Sequence, residues 1–348
     1  MYELTEKLVK LTPYDPIQGD YKIRLDANES FIDTSDEILA KAVKGAALNR
    51  YPDPYAKKLI VAYSGFYDIN PDLVTAGNGS DELISIITAC FLQKGEKVLT
   101  LAPDFSMYSF YSSLYELDVR VMKKEDDLTI NVDKVIKTVE KEGIRAVLFS
   151  NPCNPTSLGL AKKDVIKLIT SVNALVILDE AYMDFWKGLD DQSLIKDTES
   201  YDNLIVLRTC SKALGMAGLR LGFAVSNHVI TEKLRAAKSP YNVNSLTQSV
   251  AEYILSDRKE IERRIKACIG ALNELDNGLY ERNFSFFETI YPSVSNFVFI
   301  KTSKAKEIFE YLLSQSIAVR YMEDYLRITA GSTEENKALM KALIGFKG

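Results

Sequence analysis

Residues 204–220 read LIVLRTCSKALGMAGLR, and this stretch indicates both a fold and a chemistry. Its first four residues form an apolar run that is typical of a buried strand. Lys212 follows among small and hydroxyl-bearing residues, and Arg220 lies eight positions further on. A lysine that is partly removed from water beside cationic or hydroxyl groups has a lowered pKa and becomes nucleophilic. Lys212 is therefore a candidate to condense with an aldehyde next to a phosphate site, although most lysines lie on the solvated surface.

Similar apolar runs occur on both sides of this stretch, and helix-length segments such as 161–172 separate several of them. The predicted strands are 97–101, 146–150, 174–178, 204–207 and 221–225. Strands that are apolar throughout and alternate with helices favour a mainly parallel sheet with helices on both faces. We therefore predict an α/β fold whose largest part is such a sheet.

The two ends of the chain differ from this central pattern. Residues 1–30 show little periodicity and are predicted to form an N-terminal arm. Residues 247–285 have apolar positions at three- and four-residue intervals, which predicts a long helix or a helix pair. Beyond them the chain predicts strands at 296–301, 317–321 and 325–329, and helices at 303–316 and 333–345. We expect a large domain at 31–250 and a smaller α+β domain at 251–348, to which part of the arm belongs.

A second candidate group is the acid that ends the apolar run Val176-Ile177-Leu178-Asp179. In open α/β sheets, ligands bind at the carboxyl ends of the strands. An acid there can pair with a protonated pyridine nitrogen and keep the ring electron-withdrawing. Tyr182, three residues on, can hydrogen-bond a ring oxygen. The alternatives are a helix N-cap for Asp179 and core packing for Tyr182. Asp179 and Lys212 together indicate pyridoxal phosphate (PLP) chemistry.

Two segments can hold the phosphate of such a cofactor. Thr209, Ser211 and Arg220 supply hydroxyls and a guanidinium. The turn at 77–81, Gly-Asn-Gly-Ser-Asp, precedes an amphipathic helix whose first amides attract an anion. This turn is not a dinucleotide-binding fingerprint, because Glu82 stands where a third glycine is needed, and no Walker A lysine follows. The turn at 151–155 either presents Asn154 to a ring hydroxyl or is purely structural.

The composition argues against several other functions. The formal net charge of -5 has both signs interspersed, without the basic stripe of a nucleic-acid-binding protein. A single histidine, His228, excludes a multi-histidine metal site. The cysteines are too widely spaced for a zinc motif or a disulfide framework, and they lie at Cys90, Cys153, Cys210 and Cys268. No apolar run approaches the ~20 residues that span a bilayer, and no signal peptide is apparent. We expect a cytoplasmic protein without membrane or nucleic-acid partners.

Six motifs occur in an order that resembles the fold-type I PLP-dependent aminotransferases. They are Gly-x-Gly-Ser-Asp-Glu (77–82), Pro-x-x-x-x-Tyr (103–108), Asn-Pro-x-Asn-Pro-Thr (151–156), Asp-Glu-Ala-Tyr (179–182), Arg-Thr-x-Ser-Lys-Ala (208–213) and Gly-Leu-Arg-x-Gly-Phe (218–223). The segments at 11–14 and 51–54 resemble the histidinol-phosphate branch of that family, and the similarity runs from about residue 11 to residue 345. The resemblance implies a seven-stranded sheet in the large domain, the cofactor PLP, a homodimer, and amino transfer from glutamate to a phosphorylated keto acceptor in histidine biosynthesis.

The resemblance also implies roles for individual residues. The predicted catalytic residues are Lys212, which binds the cofactor and moves the substrate proton, Asp179, which pairs with the ring nitrogen, and Tyr182. The other predicted cofactor contacts are Ser80, Asp81, Tyr108, Asn154, Thr209, Ser211 and Arg220, together with Tyr51, which reaches the cofactor of the partner subunit. The predicted substrate contacts are Tyr14, Asn28, Arg320 and Arg327.

Several departures from the usual family pattern lie where substrate preference is decided. Asp26 stands where asparagine is usual, Ser30 follows Asn28-Glu29, and Ser157 replaces a glycine. A PLP-dependent threonine-phosphate decarboxylase and an aromatic amino acid aminotransferase therefore stay open as alternatives. So do a nicotinamide-dependent enzyme and a regulator that keeps the fold, although we expect no spare length for a DNA-binding appendage.

Overall fold

Two β-sheets organise the protein. The computed structural model describes residues 2–9, 11–13, 16–44, 46–186 and 192–347. In chain order its strands are β1 (Ile23–Leu25), β2 (Val74–Gly77), β3 (Lys97–Ala102), β4 (Asp118–Lys123), β5 (Ala146–Ser150), β6 (Leu175–Asp179), β7 (Leu204–Thr209), β8 (Gly222–Ser226), β9 (Thr289–Tyr291), β10 (Phe297–Lys301), β11 (Ile317–Met322) and β12 (Tyr325–Thr329). The larger sheet has seven strands in the order β2-β8-β7-β6-β5-β3-β4, and the smaller has five in the order β1-β11-β12-β10-β9.

The larger sheet is parallel except at one strand. Neighbours from β4 through β3, β5 and β6 to β7 pair in parallel. β8 runs antiparallel to both of its neighbours, β7 and β2. This arrangement confirms the predicted α/β fold with a mainly parallel sheet.

Both faces of the large sheet are covered because its central strands are apolar throughout. Val176 and Val206 lie in one core, whereas the adjacent Ile177 and Leu207 lie in the core on the opposite face. Side chains alternate between the two faces along a strand. An unbroken apolar run is therefore what a sheet buried on both sides requires.

Helices separate the strands and cover the sheets. Their bounds are Glu6–Val9, Asp36–Val43, Lys57–Tyr67, Gly79–Cys90, Met107–Leu114, Val132–Glu142, Lys162–Ser171, His228–Ala237, Ser245–Leu255, Arg258–Arg282, Ala305–Ser314 and Thr333–Gly345. The helix Asp36–Val43 begins where the Ser35 side chain accepts a hydrogen bond from the Ile38 N–H. The segment at 247–285 contains a helix pair, and the second helix begins where the Asp257 side chain accepts a hydrogen bond from the Glu260 N–H.

The smaller sheet combines four C-terminal strands with one strand from the N-terminal segment. β1 pairs in parallel with β11, and the other pairs are antiparallel. Leu275 of the long helix, Ile300 of β10 and Leu339 of the last helix share its core. The domain boundaries at residues 30 and 250 stay a prediction.

The fold brings the carboxyl ends of β5, β6 and β7 together at one edge of the large sheet. Ser150 is the register partner of Asp179, and Asp179 is the partner of Leu207. Residues that follow these strands therefore meet in one place. Among the described residues, no helix combines the length and the apolar character needed to cross a membrane.

Candidate active site

Asp179 is the buried acid at the centre of the site. It ends β6 and is only 4% exposed. Its carboxylate accepts hydrogen bonds from the Tyr108 hydroxyl at 2.9 Å and from the Ala181 N–H at 3.0 Å. Burial raises the pKa of Asp179 to about 7, although both hydrogen bonds act in the opposite direction. A cation against this carboxylate would be bound favourably, because it would offset the cost of burying the charge.

Lys212 lies in the loop after β7, with its amine directed at the N-terminal segment. Nζ donates to the carbonyl oxygen of Ala27 at 2.8 Å and lies 6.0 Å from the centre of the Tyr182 ring. Burial lowers the pKa of Lys212 to about 8, and the charges of Arg327 and Arg220 act in the same direction. More of this amine is neutral and nucleophilic near pH 7 than in an ordinary lysine.

The start of the helix Gly79–Cys90 packs directly against β8. A Cβ atom at Gly222 would lie 2.4 Å from the Ser80 nitrogen and 2.5 Å from the Gly79 carbonyl carbon. Gly79 itself has a φ of +75°, a backbone conformation that residues other than glycine rarely adopt. Glycine at both positions therefore allows the backbone of the first helical turn to approach β8 and form an anion cradle.

Hydroxyl and guanidinium groups surround this helix start. Arg220 Nη2 contacts Asp81 Oδ2 at 3.2 Å, and Arg220 Nη1 donates to Ser211 Oγ at 3.4 Å. Thr209 Oγ1 donates to Ser211 Oγ at 3.0 Å. Donors from the helix start and from the end of β7 therefore converge, as binding of a dianionic phosphate requires. A cofactor with a phosphate at one end and a cationic ring nitrogen at the other fits the cradle and Asp179.

Tyr182 and Asn28 connect the two sheets at the site. Asn28 Nδ2 donates to Tyr182 Oη at 2.9 Å, and Thr329 Oγ1 donates to Asn28 Oδ1 at 3.0 Å. Burial raises the pKa of Tyr182, so its phenol stays protonated. The N-terminal segment is therefore held between a residue that follows β6 and a residue of β12.

Arg327 and Arg320 are register partners on β12 and β11. Arg327 Nη1 donates to Asn154 Oδ1 at 2.6 Å, and its Nη2 donates to the Asp26 carbonyl oxygen. Its guanidinium also lies 5.5 Å from the centre of the Phe297 ring. The structure thus brings Arg327 and Asn154 into direct contact, and the strand register places Arg320 beside Arg327.

Tyr51, a predicted cofactor contact, pairs with another exposed aromatic residue. Tyr51 is 81% exposed and stacks on Tyr241, with ring centroids 4.6 Å apart. An exposed aromatic pair of this kind is accessible to a second copy of the chain. Tyr14, the remaining predicted substrate contact, lies outside the described residues.

Sequence reasoning missed a buried ionic network next to the site. Arg208 donates to Glu180 Oε2 at 3.0 Å, to Asp184 Oδ1 at 2.9 Å and to Ser193 Oγ at 2.9 Å. Glu180 and Arg208 are the chain neighbours of two predicted site residues, so the network joins the ends of β6 and β7. The sequence does contain an indication of this network, because Glu180 directly follows an apolar strand and Arg208 lies within one. A charged residue in such a buried position needs a partner of opposite charge.

Comparison with known proteins agrees with this geometry. The family model described as aminotransferase class I and II matches residues 20–343. The curated histidinol-phosphate aminotransferase of Clostridium novyi (strain NT) is 42% identical over 99% of this chain and 97% of its own length. The corresponding enzyme of Pyrococcus furiosus is 34% identical over 98% of this chain and 97% of its own length.

Solved structures share the fold. The histidinol-phosphate aminotransferase of Sinorhizobium meliloti, solved in complex with pyridoxal-5'-phosphate, superposes with a TM-score of 0.87 at 21% identity, over 99% of this chain and 97% of that one. The L-threonine-O-3-phosphate decarboxylase of Porphyromonas gingivalis superposes with a TM-score of 0.75 at 22% identity, over 93% of this chain and 99% of that one. One fold therefore serves both reactions, and fold similarity alone does not distinguish them.

Proposed function

Because this chain belongs to the class I and II aminotransferase family, we propose that it transfers an amino group from glutamate to imidazole-acetol phosphate and so forms histidinol phosphate. The observation that carries this substrate is the 42% identity, over nearly the whole of both chains, to the histidinol-phosphate aminotransferase of Clostridium novyi. We place the protein in the cytoplasm and in histidine biosynthesis on the same ground. The reverse reaction, from histidinol phosphate to 2-oxoglutarate, is the convenient one to assay.

PLP fits the residues that are present. When bound, it supplies an aldehyde that takes up the amino group and a ring that withdraws electrons from the reacting carbon. Asp179 would hold a proton on the ring nitrogen, since its buried carboxylate favours a cation beside it. The amides of the Gly79–Cys90 helix start, with Ser211 and Arg220, would hold the phosphate.

Lys212 is the proposed base and nucleophile. Because its pKa is about 8, the Lys212 amine can both accept and release a proton close to neutral pH. Tyr182 and Asn154 would donate to the ring oxygen, and Tyr108 would lie against the ring. Asn28 orients the Tyr182 hydroxyl through the 2.9 Å hydrogen bond.

Arg327 and Arg320 are the proposed binding groups for acidic parts of the substrates. Two guanidinium groups on neighbouring strands offer paired donors to a carboxylate or a phosphate. The donor glutamate carries carboxylates, whereas histidinol phosphate carries a phosphate and no carboxylate. Both substrates can therefore use the same cationic region in turn. We also propose a homodimer in which Tyr51 extends toward the partner subunit's cofactor.

Substitution of Lys212 tests the assignment. We expect Lys212→Ala to bind PLP without a borohydride-reducible bond and to lose transamination of histidinol phosphate, whereas the wild type forms the bond and produces glutamate. Parallel assays with phenylalanine and threonine phosphate separate the alternatives, because an aromatic aminotransferase turns over the first and a decarboxylase releases carbon dioxide from the second. A reducible adduct in Lys212→Ala would overturn the role of this lysine.

A further inference from the structure

A buried lysine and aspartate lie beside the site and have no role in the function proposed above. Lys124 follows β4, Asp104 follows β3, and each side chain is 1% exposed. Lys124 Nζ lies 3.6 Å from Asp104 Oδ2 and 2.8 Å from Cys153 Sγ. A buried ion pair often contributes little net stability, because removing both charges from water is costly. Stability alone therefore does not account for this pair.

The end of β5 provides donors for the Asp104 carboxylate. Ser150 donates to it twice, from its backbone N–H at 3.3 Å and from its hydroxyl, and the Phe105 N–H donates at 2.8 Å. Burial raises the pKa of Asp104, whereas the charge of Lys124 and these hydrogen bonds act in the opposite direction. Lys124 thus helps to keep Asp104 an acceptor for the Ser150 hydroxyl.

The Ser150 hydroxyl connects the ion pair to Asn154. Because its hydrogen is directed at Asp104, its oxygen can accept, and it accepts from the Asn154 N–H at 3.1 Å. The Asn154 side chain in turn accepts from Arg327 Nη1 at 2.6 Å. Contacts from Lys124 through Asp104, Ser150 and Asn154 to Arg327 therefore form an unbroken chain.

We propose that Lys124 and Asp104 are positioning residues that hold Asn154 in place toward the cofactor ring and Arg327. This inference rests on the proposed function in one respect, namely that the ligand of Asn154 is the PLP ring. Without the ammonium group, the pKa of Asp104 would rise further, because burial would no longer be opposed by a neighbouring cation, and the carboxylate would become a weaker partner for the Ser150 hydroxyl. The Asn154 backbone would then lose its fixed partner. The contact of Lys124 with Cys153, the residue before Asn154, is a second anchor in the same turn.

Lys124→Met tests the proposal against Lys97→Met. Lys97 is a matched control, because it is a partly buried lysine at the other end of β3, where Nζ donates to the Glu142 carbonyl oxygen. Amide hydrogen exchange of Asn154 is measured in the cofactor-free protein. The PLP dissociation constant and the pH midpoint of the visible band of bound PLP are measured in the loaded protein. We expect Asn154 in Lys124→Met to exchange about tenfold faster and PLP to bind about tenfold more weakly, with a displaced pH midpoint. Lys97→Met should match the wild type.

Two further variants keep the test decisive if Lys124→Met folds poorly. Ser150→Ala removes the hydroxyl that connects Asp104 to Asn154 but leaves the ion pair of Lys124 and Asp104. It should therefore reproduce the faster amide exchange of Asn154. The double variant Lys124→Met/Asp104→Asn leaves no buried carboxylate without a partner, so it should fold better than Lys124→Met, but it should keep the faster Asn154 exchange, because its amide is not a charged acceptor for the Ser150 hydroxyl. If Lys124→Met and Ser150→Ala lower the melting temperature but keep wild-type Asn154 exchange and PLP affinity, the pair is purely structural and the proposal is wrong. A wild-type protein that does not bind PLP would overturn the proposed function instead, and the exchange data would still decide the positioning role.

Discussion

At the scale of single residues, the depressed pKa of Lys212 sets the pH range in which the amine can react. Only the neutral amine attacks an aldehyde, so uptake of PLP by the cofactor-free protein should rise with pH around a midpoint near 8. Arg327→Met removes a cation that lowers this pKa, and we expect the midpoint to rise by roughly half a unit to one unit. The measurement is the rate of PLP uptake against pH.

Arg320→Met is the matched control for that profile. Arg320 is the register partner of Arg327, but it is not among the main charges that act on the Lys212 amine. Its substitution should therefore leave the midpoint unchanged. Equal shifts in both variants would show that the charge of Arg327 has no specific effect on Lys212.

Asp179 makes the stability of the cofactor-free protein depend on pH. Its pKa is about 7 in the folded protein, against the ordinary value of 3.8. Between these values the folded state binds more protons than the unfolded chain, so the free energy of unfolding falls as pH rises. Asp179→Asn removes this loss, and we expect the variant to be more stable than the wild type by about 2–4 kcal/mol at pH 8 and equal to it near pH 4. Denaturant unfolding at several pH values measures the difference.

Addition of PLP should stabilise the wild type more than it stabilises Asp179→Asn. A cationic ring nitrogen would compensate the Asp179 carboxylate in the wild type, whereas the amide of the variant offers no charge. The wild type should therefore gain more stability from PLP than Asp179→Asn does. Parallel stability curves with and without PLP would mean that the acid does not face the ring nitrogen.

At the scale of secondary-structure elements, the proposed phosphate cradle depends on the close approach of β8 to the Gly79–Cys90 helix. A methyl group at Gly222 would meet backbone atoms at 2.4–2.5 Å, which no side-chain adjustment can relieve. We expect Gly222→Ala to displace the helix start, to lower stability by about 1–3 kcal/mol, and to weaken PLP binding about tenfold or more. Fluorescence titration with PLP and thermal unfolding measure the two effects.

Gly218→Ala is the corresponding control. A Cβ atom at Gly218 meets nothing within 4 Å, and its φ lies outside the left-handed region. Gly218 also belongs to the same glycine-containing motif as Gly222. Substitution there should leave both stability and PLP affinity close to those of the wild type. If Gly222→Ala behaves in the same way, the approach of β8 to the helix is not needed for the cradle.

Strands that are apolar throughout could be predicted from the sequence, whereas the edge strand β4 could not. The apolar run at 204–207 predicted β7 because both faces of that strand are buried. β4, at the edge of the sheet, has a half-exposed mixture of polar and apolar residues and was missed. The same limit applies to the site. Lys212 and Asp179 follow apolar strands and stand out, whereas Lys124 and Asp104 become partners only when β4 and β3 pair.

At the scale of the whole molecule, the site lies where the two sheets and the N-terminal segment meet. The large sheet contributes Asp179, the smaller one contributes Arg327, and Asn28 connects them through Tyr182 and Thr329. If Arg327 binds the substrate and the large sheet holds the cofactor, as proposed, the two groups would interact with different sheets. A change in the relative position of the two sheets would alter substrate binding without altering the cofactor contacts of the large sheet.

Mixed dimers can test the proposal that Tyr51 acts in the site of the partner subunit. If Tyr51 acts in the partner's site, a dimer of one Lys212→Ala chain and one Tyr51→Ala chain contains one site with neither change. Random co-assembly of the two variants therefore leaves about a quarter of all sites intact, and about half of the sites in mixed dimers selected through both tags. If Tyr51 acts within its own chain, every site of the mixed dimer carries a change and no activity returns. The test is a transamination assay on co-expressed, differently tagged chains purified through both tags. Mixed dimers of Lys212→Ala and Asp179→Asn are the control, because both residues lie in one chain's site and should not complement each other.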